Sequence, residues 1–209
     1  TTIINKDKGA HFKGESINYS FINKGNNNYQ IKAKNSFDEI TGQKVLTEYF
    51  PSSDTFNLNT VSSFSVQFVD KTLNFTNDIK GVFDQVTGLN TDSGRMFRLY
   101  NAAFRRFPDT NGLAYWIDKF SSGANDIRSV ASSFLVSDEF KSQYGDNISD
   151  DQYVKTLYRN VLNRELDQGG YDYWVGNLNN GEETRYEVLL GFAESAENKT
   201  LFTEMTGFD

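Results

Sequence analysis

The residues best able to bind a ligand occur twice in this chain, in the same order and 58 residues apart. Each copy holds an arginine, an aspartate three residues later, a glycine, and an adjacent tyrosine and tryptophan. The equivalent pairs are Arg106 and Arg164, Asp109 and Asp167, Gly112 and Gly170, Tyr115 and Tyr173, and Trp116 and Trp174. Arginine binds anions, aromatic side chains offer a flat apolar face, and aspartate oxygens bind calcium. The two arginines and the two tyrosines are therefore the candidate ligand-binding residues.

Helix ends offer a simpler explanation for the repeated aspartates and arginines. Asp109 and Asp167 each stand directly before a predicted helix, where an aspartate side chain accepts hydrogen bonds from free backbone amides. Arg106 and Arg164 each lie at the end of the preceding predicted helix, a position that favours positive charge. We therefore prefer a local ion pair between each arginine and its aspartate, and keep anion or glycan binding by the arginines as the alternative.

In each copy the tryptophan is predicted to lie in the core and the adjacent tyrosine at the surface. Trp116 and Trp174 lie on the apolar side of a predicted helix, so we expect both indoles to be buried. Tyr115 and Tyr173 are the adjacent residues and point in another direction, so they are the more exposed candidates for stacking on a sugar. The tryptophans and the repeated glycines are assigned structural roles.

Calcium is a weak alternative for the aspartates. The run Asp109-Thr110-Asn111-Gly112 resembles the start of an EF-hand loop, but Asp167-Gln168-Gly169-Gly170 lacks the second ligand. Neither copy has the bidentate glutamate that ends such a loop. We predict no metal and no cofactor, with calcium at Asp109 and Asp167 as the alternative.

No enzyme signature is present, and we predict a non-enzymatic chain with no catalytic residue. The sequence has no cysteine and one histidine, His11, which excludes thiolate zinc sites, cysteine nucleophiles and sites with several histidines. No glycine-rich phosphate loop occurs, and no nucleophile elbow accompanies His11.

Charge and composition restrict the partners. With 21 Lys and Arg against 28 Asp and Glu, the net charge of −7 disfavours nucleic acid and anionic membranes. No apolar run approaches the roughly 20 residues of a membrane span. The absence of cysteine is compatible with export. Because the chain begins Thr-Thr-Ile, we expect a piece of a longer extracellular or cell-surface protein, without a cleaved signal peptide of its own.

The first part of the chain, residues 1–90, is predicted to be an antiparallel β module. It contains no arginine, whereas all eight arginines follow it. Residues 17–22 and 29–33 alternate apolar with polar side chains around an asparagine-rich turn, which indicates a hairpin. Further short strands are predicted in three segments, which are residues 44–50, 64–69 and 72–75.

The second part, residues 91–209, is predicted to be an all-α bundle of two duplicated units, 91–148 and 149–209. Leu99-Tyr100 recurs as Leu157-Tyr158, and the register continues without a gap to Glu139 and Glu197. Apolar spacing indicates three longer helices and a short fourth in each unit. The predicted fold is therefore α+β, with two segregated modules.

The run from Met96 to Trp116 resembles the domain-of-unknown-function family 4214, and residues 157–174 resemble its second copy. The strand-rich part is similar, at residues 37–42 and 66–72, to segments that often precede this helical repeat. The resemblance implies a place near the C-terminus of secreted proteins, often beside hemolysin-type (RTX-like) calcium-binding repeats, and most like marine cyanobacterial ones. It attaches no catalytic residue, and the tandem calcium-binding nonapeptide itself is missing here.

These observations favour a non-enzymatic C-terminal module of an exported protein, serving cell-surface or extracellular assembly, adhesion or attachment. Two alternatives remain open at this point. One is a carbohydrate-binding module that uses Arg106, Tyr115, Arg164 and Tyr173. The other is an accessory domain of a secreted hydrolase. The expected partner is a protein or a surface polysaccharide, and a homo-oligomer is compatible with the sequence.

Overall fold

The computed structural model describes the backbone of residues 3–5, 9–37, 44–45, 53–57 and 64–209, and the side chains of residues 9–35, 55–57 and 64–209. Within these residues short strands come first and helices follow. The predicted α+β fold, with a strand-rich part before an all-helical part, is confirmed.

The strands of the described residues form three small sheets, in the orders β1-β2-β8-β9, β3-β4-β7 and β5-β6. They are β1 (Ile3–Asn5), β2 (Gly9–His11), β3 (Tyr19–Gly25), β4 (Asn28–Ala33), β5 (Ser36–Phe37), β6 (Lys44–Val45), β7 (Ser53–Asn57), β8 (Ser65–Gln67) and β9 (Thr72–Asn74). Neighbouring strands are antiparallel except β2 and β8, which run parallel. A parallel pair needs a long connection, and here the other sheets lie between the two strands in sequence.

The predicted hairpin is present as β3 and β4. Phe21 pairs with Ile31 across the two strands, and both side chains are buried. Asn26 and Asn27 form the turn with φ of 51° and 58°, the left-handed conformation that tight hairpin loops require and asparagine tolerates. The first strand begins later than predicted, because Ser16–Asn18 is a 3₁₀ helix.

The other predicted strands are shorter than expected, or lie partly outside the described residues. Of the predicted strand 44–50, only β6 lies within them. Residues 38–42, which carry part of the family resemblance, also lie outside. After β9 the chain turns into a π-helical segment, Phe75–Lys80, that continues into α1 (Gly81–Phe83).

The core of the strand-rich part is built mainly from aromatic rings. Phe12 stacks on Phe68 with ring centroids 5.2 Å apart, and Tyr19 meets both rings. Phe21 lies 4.7 Å from Phe107, which belongs to the helical part and also meets Phe97. The two parts are therefore segregated in sequence but share a continuous apolar interior.

The helical part has two units of four helices. The first unit contains α2 (Asp92–Phe104), α3 (Thr110–Ser121), α4 (Ile127–Leu135) and α5 (Asp138–Tyr144), and the second contains α6 (Asp150–Leu162), α7 (Gln168–Asn180), α8 (Arg185–Ala193) and α9 (Ala196–Thr206). Every helix of the second unit begins 58 residues after its counterpart, as an internal duplication requires. The fourth helix is short in the first unit only, since α9 has 11 residues.

Repeated polar residues cap these helices as predicted. At seven of the eight N-termini, the side chain before the helix accepts a hydrogen bond from a backbone amide of the first turn; these residues are Thr91, Asp109, Asp126, Ser137, Ser149, Asp167 and Ser195. At the eighth, Thr184 and Glu187 form a capping box. Gly123 and Gly181 follow the second helix of each unit with φ of 74° and 69°, the predicted left-handed conformation.

The end of β4 joins the two parts at equivalent points of the duplicated units. Lys34 Nζ donates to the carbonyl oxygen of Arg105 at 2.6 Å. Asn35 makes two hydrogen bonds to Asn163, each 3.1 Å long. Arg105 and Asn163 are the left-handed C-caps of α2 and α6, and they occupy corresponding positions of the repeat. The strand-rich part is thus anchored on both units.

Candidate functional site

In the first unit Arg106 is the centre of a cluster of four polar side chains. Its Nη2 donates to Glu139 Oε2 at 3.0 Å, to Tyr100 Oη at 3.0 Å and to Asp109 Oδ2 at 3.3 Å. Its Nε donates to Glu139 Oε1. Tyr100 Oη in turn donates to Asp109 Oδ2 at 2.6 Å. The predicted Arg–Asp contact exists, but the glutamate is the closer partner of the guanidinium.

The second unit repeats this cluster with Tyr158, Arg164, Asp167 and Glu197. Arg164 donates to the two carboxylate oxygens of Glu197 at 2.7 and 2.9 Å, and to Asp167 Oδ2 at 3.3 Å. The guanidinium carbon lies 5.0 Å from the centre of the Tyr158 ring. Both clusters therefore fasten the same three helix ends, which are the C-terminus of the first helix and the N-termini of the second and fourth.

The glutamate partners, Glu139 and Glu197, were missed as cluster members by the interpretation of the sequence. They lie 33 residues from their arginines, and no local rule pairs residues at that separation. The available signal was that both glutamates recur at the 58-residue offset. Asp109 and Asp167, which lie beside them in the clusters, recur at the same offset.

Burial and hydrogen bonding shift the pKa values of the clustered groups. Burial opposes ionisation of Asp109, but hydrogen bonds from Tyr100 and from the Gly112 amide, together with Arg106, lower the pKa of Asp109 below its usual value. The Gly170 amide and Arg164 lower the pKa of Asp167 in the same way. Burial and the bond to Asp109 raise the pKa of Tyr100. At neutral pH Asp109 and Asp167 are therefore charged, and Tyr100 is neutral.

The repeated glycines are required by the close approach of the tyrosine hydroxyls. A Cβ on Gly170 would lie 2.1 Å from Tyr158 Oη, and a Cβ on Gly112 would lie 2.9 Å from Tyr100 Oη and 2.7 Å from Asp109 Oδ1. Real Cβ atoms do not approach other atoms so closely. Both glycines thus leave the space that the tyrosine hydroxyl and the aspartate carboxylate of their cluster occupy.

The tryptophans are less buried than predicted. Trp116 and Trp174 are only partly buried, although each packs on a core phenylalanine, with ring centroids 5.1 Å from Phe134 and 5.4 Å from Phe192. The apolar side of the second helix faces the core in each unit, but this helix lies at the edge of the bundle. In α7 no residue is fully buried. Both indoles thus pack on the core, but the structure covers them less completely than the expected burial.

Tyr115 and Tyr173 lie where the sequence predicted, on the surface. They are 53% and 57% exposed, and among the side chains that the structure describes they are the only exposed aromatic rings. Each ring meets the indole of the following tryptophan edge-on at 5.0 Å. Each unit thus presents an exposed tyrosine that is supported by a partly buried tryptophan.

The candidate ligand-binding residues do not converge on one site. Arg106 and Arg164 direct their donors inward to carboxylates of their own unit, whereas Tyr115 and Tyr173 point to solvent. Binding of a ligand by both kinds of residue together has no geometric support.

The repeated aspartates lie at helix starts and not in a calcium loop. The residues that follow Asp109 and Asp167 begin α3 and α7 directly, so no loop of the EF-hand type is formed there. Throughout the described ranges, histidine and acidic side chains form no group of three or more that could hold a metal ion. None of the described helices has the length and apolar character needed to cross a membrane.

Comparison with known proteins is informative for the helical part alone. Searches of curated proteins and of solved structures gave no match. A family model described as "Domain of unknown function (DUF4214)" matches residues 131–202. This match begins within α4 of the first unit and covers most of the second, so its limits differ from those of the two predicted units. In this stretch, which is less than half of the chain, the protein is similar to the DUF4214 family.

Proposed function

We propose that this chain is a non-enzymatic attachment module of an exported protein, and that Tyr115 and Tyr173 are its contact residues. The observation that carries the proposal is the exposure of these two rings at equivalent positions of the repeat. Elsewhere in the described side chains, aromatic rings are covered by the core or partly covered. An exposed ring supported by a second ring is a contact surface that holds its shape without a partner.

Duplication of this surface supports attachment more than catalysis. Two weak contacts on one rigid body bind a repetitive partner more tightly than either contact alone. A surface polysaccharide or a protein array is such a partner. The best-formed polar clusters of the helical part, around Arg106 and Arg164, have their donors occupied by carboxylates of the chain itself.

Carbohydrate binding is the second candidate, and the Tyr-Trp pairs favour it. An exposed ring backed by an indole offers a flat face on which a sugar ring can stack. In this alternative, Tyr115 and Tyr173 bind the sugar, and Arg106 and Arg164 only stabilise the fold. An accessory role beside a secreted hydrolase would use the same surface, with catalysis elsewhere in the longer protein.

The test compares the chain with a Tyr115→Ser/Tyr173→Ser double variant for retention on insoluble polysaccharides, peptidoglycan sacculi and whole bacterial cells. We expect the wild type to bind at least one of these surfaces, the single variants to lose part of the binding, and the double variant to lose it. Val69→Ser is the control, because Val69 is also an exposed apolar side chain, 70% exposed, but belongs to the strand-rich part.

Three results would contradict the proposal. They are equal retention of the wild type and the double variant, retention of neither, and release of soluble sugar from any of the polysaccharides. The last of these would show that the chain is catalytic.

A further inference from the structure

A polar cavity lies where the strand-rich part meets the first and second helical units. Its volume is about 560 Å³, within the range of small-molecule sites. The walls come from the 3₁₀ turn at Ser16–Asn18, the C-terminal end of α2, and the helices α5 and α6. Side chains that can hydrogen-bond dominate the lining, among them Arg105, Gln143, Arg159 and Asn160.

Arg105 is a charged group without a partner in this cavity. Its carbonyl oxygen accepts from Lys34, but its guanidinium makes no hydrogen bond or ion pair with any residue that the structure describes, and its electrostatic neighbours are Lys34 and the Tyr144 phenol. Burial lowers the pKa of Arg105, and the residue nevertheless remains charged at neutral pH. A partly enclosed guanidinium of this kind has unused capacity to bind a carboxylate through two parallel hydrogen bonds.

The backbone conformation at Arg105 does not favour a long side chain such as arginine. Arg105 has φ of 53° in the left-handed region, and its counterpart Asn163 has the same φ. Asparagine is well suited to that conformation, whereas a long side chain is not favoured there. The first unit therefore carries an arginine at a position where the backbone alone would favour the asparagine found in the second.

Other groups of the wall complement a polar, singly charged ligand. Gln143 donates from Nε2 to the carbonyl of Phe104 at 2.9 Å, while its buried Oε1 has no partner among the described atoms. Arg159 is already paired with Glu165 at 2.7 Å. Glu15 is the single carboxylate of the described lining, against the two guanidinium groups of Arg105 and Arg159. Arg105 is thus the cation that remains available.

We propose that this cavity binds a small hydroxylated carboxylate of the hexuronate class. The Arg105 guanidinium holds the carboxylate, and amide side chains such as Gln143 and Asn160 bind the hydroxyl groups. The cavity lies at the C-terminal end of α2, where backbone carbonyls accumulate. These carbonyls repel every anion, but they repel a doubly charged phosphate or sulfate more than a singly charged carboxylate. The site is separate from Tyr115 and Tyr173, and the inference goes beyond the proposed attachment function.

The experiment is calorimetric titration of the chain at low ionic strength with D-glucuronate and D-galacturonate, beside D-glucose, phosphate and sulfate. The test variant is Arg105→Asn, which copies the residue at the equivalent position of the second unit and keeps the left-handed C-cap. Arg95→Gln is the matched control, because Arg95 is an exposed cation on the same helix, α2. Arg105→Lys keeps the charge but loses the paired hydrogen bonds.

We expect hexuronate to bind the wild type and the Arg95→Gln variant equally. Binding should weaken by at least about tenfold, or 1.4 kcal/mol, in Arg105→Asn, and less in Arg105→Lys. The Tyr115→Ser/Tyr173→Ser variant should bind hexuronate as the wild type does, so this proposal and the attachment function fail independently. Absence of hexuronate binding, equal binding by Arg105→Asn, or tighter binding of phosphate and sulfate would each overturn the hexuronate site.

Discussion

The two helical units have the same helices and the same Tyr-Arg-Asp-Glu cluster, yet they differ at a few positions that matter. Arg98 of the first unit corresponds to Thr156 of the second, and Glu194 of the second corresponds to Val136 of the first. Arg98 and Glu194 bind each other, whereas Thr156 and Val136 lie near the surface. Duplicated residues hold each unit together, and residues present once join the units or meet the strand-rich part.

The Arg98–Glu194 pair is the clearest contact between residues that occur once and join the two units. Arg98 is 2% exposed and donates from Nε and Nη2 to the Glu194 carboxylate at 2.7 to 3.0 Å. Its Nη1 donates to the Leu89 carbonyl at 2.6 Å, and the guanidinium lies 5.1 Å from the Phe202 ring. All three guanidinium nitrogens therefore donate hydrogen bonds. The side chain joins the first helix of one unit to the end of α8 and to α9 of the other.

Removal of this single-copy pair should have the largest effect on stability. Arg98→Ala leaves Glu194 without its main partner, so we expect a loss of about 3 kcal/mol, the low end of the range for breaking a buried pair. The low end applies because Glu194 is one-third exposed and also lies 3.4 Å from Lys199. Urea denaturation gives the free energy of unfolding. The matched change in the other unit, Thr156→Ala, should alter it by less than about 0.5 kcal/mol, and equal losses would break the comparison.

The contacts of β4 with the two equivalent helix ends should differ in pH dependence. Enclosure of the ammonium and the charge of Arg105 lower the pKa of Lys34 to about 7, against 10.5 in an unfolded chain. Between these values the unfolded state binds more protons at Lys34, so the free energy of unfolding should rise as the pH increases from 7 to 10.5. At about 1.4 kcal/mol per pKa unit, discounted for partial exposure, we expect a rise of about 2 kcal/mol.

The measurement is urea denaturation at several pH values across that range. Lys34→Met should lose this rise, since it removes the titrating group. Asn35→Ala is the control, because it removes the uncharged contact with Asn163. Its free energy of unfolding should rise with pH as steeply as that of the wild type. A Lys34→Met profile parallel to that of the wild type would show that the lysine is ordinarily solvated.

A methyl group at the repeated glycines should distinguish the two clusters. Gly170→Ala places Cβ against Tyr158 Oη, and we expect a loss of about 1–2 kcal/mol after the gain from the better helix propensity of alanine. Gly112→Ala should cost less, because its shortest contacts are longer. Thermal melting ranks the two variants. In a Tyr158→Phe background the cost of Gly170→Ala should shrink, and a cost that is unchanged there would place the clash elsewhere.

Loss of the repeated N-caps should have the smallest effect. Asp109→Ala and Asp167→Ala should each destabilise the chain by about 1 kcal/mol, with Asp109 the costlier because Tyr100 also donates to it. Melting with and without calcium tests the alternative role. A bound ion at 100 times its dissociation constant would add about 2.7 kcal/mol to the wild type. If calcium stabilises the wild type and neither variant, the aspartates are ligands, and their interpretation as caps is wrong.

Local patterns were sufficient to predict the helices, the caps and the hairpin. Asp109 and Asp167 cap their helices because a cap depends on residues within one turn, which the sequence places side by side. The Gly25–Asn28 turn is likewise determined by residues that are adjacent in the chain. The 58-residue register required no folding information at all, since it is a property of the sequence.

Contacts between distant residues could not be predicted in this way. The glutamates that bind Arg106 and Arg164, the parallel pairing of β2 with β8 and the cavity at Arg105 depend on how whole elements pack together. The tryptophans show the same limit, because helical spacing identifies the apolar side of a helix but not how deeply the bundle covers it. By itself the sequence determined the helices of the repeat, their N-caps and the hairpin, because these depend on residues close together in the chain. Only the tertiary structure decided which polar side chains pair with distant residues, that the Arg105 guanidinium does not, and that Tyr115 and Tyr173 stay exposed.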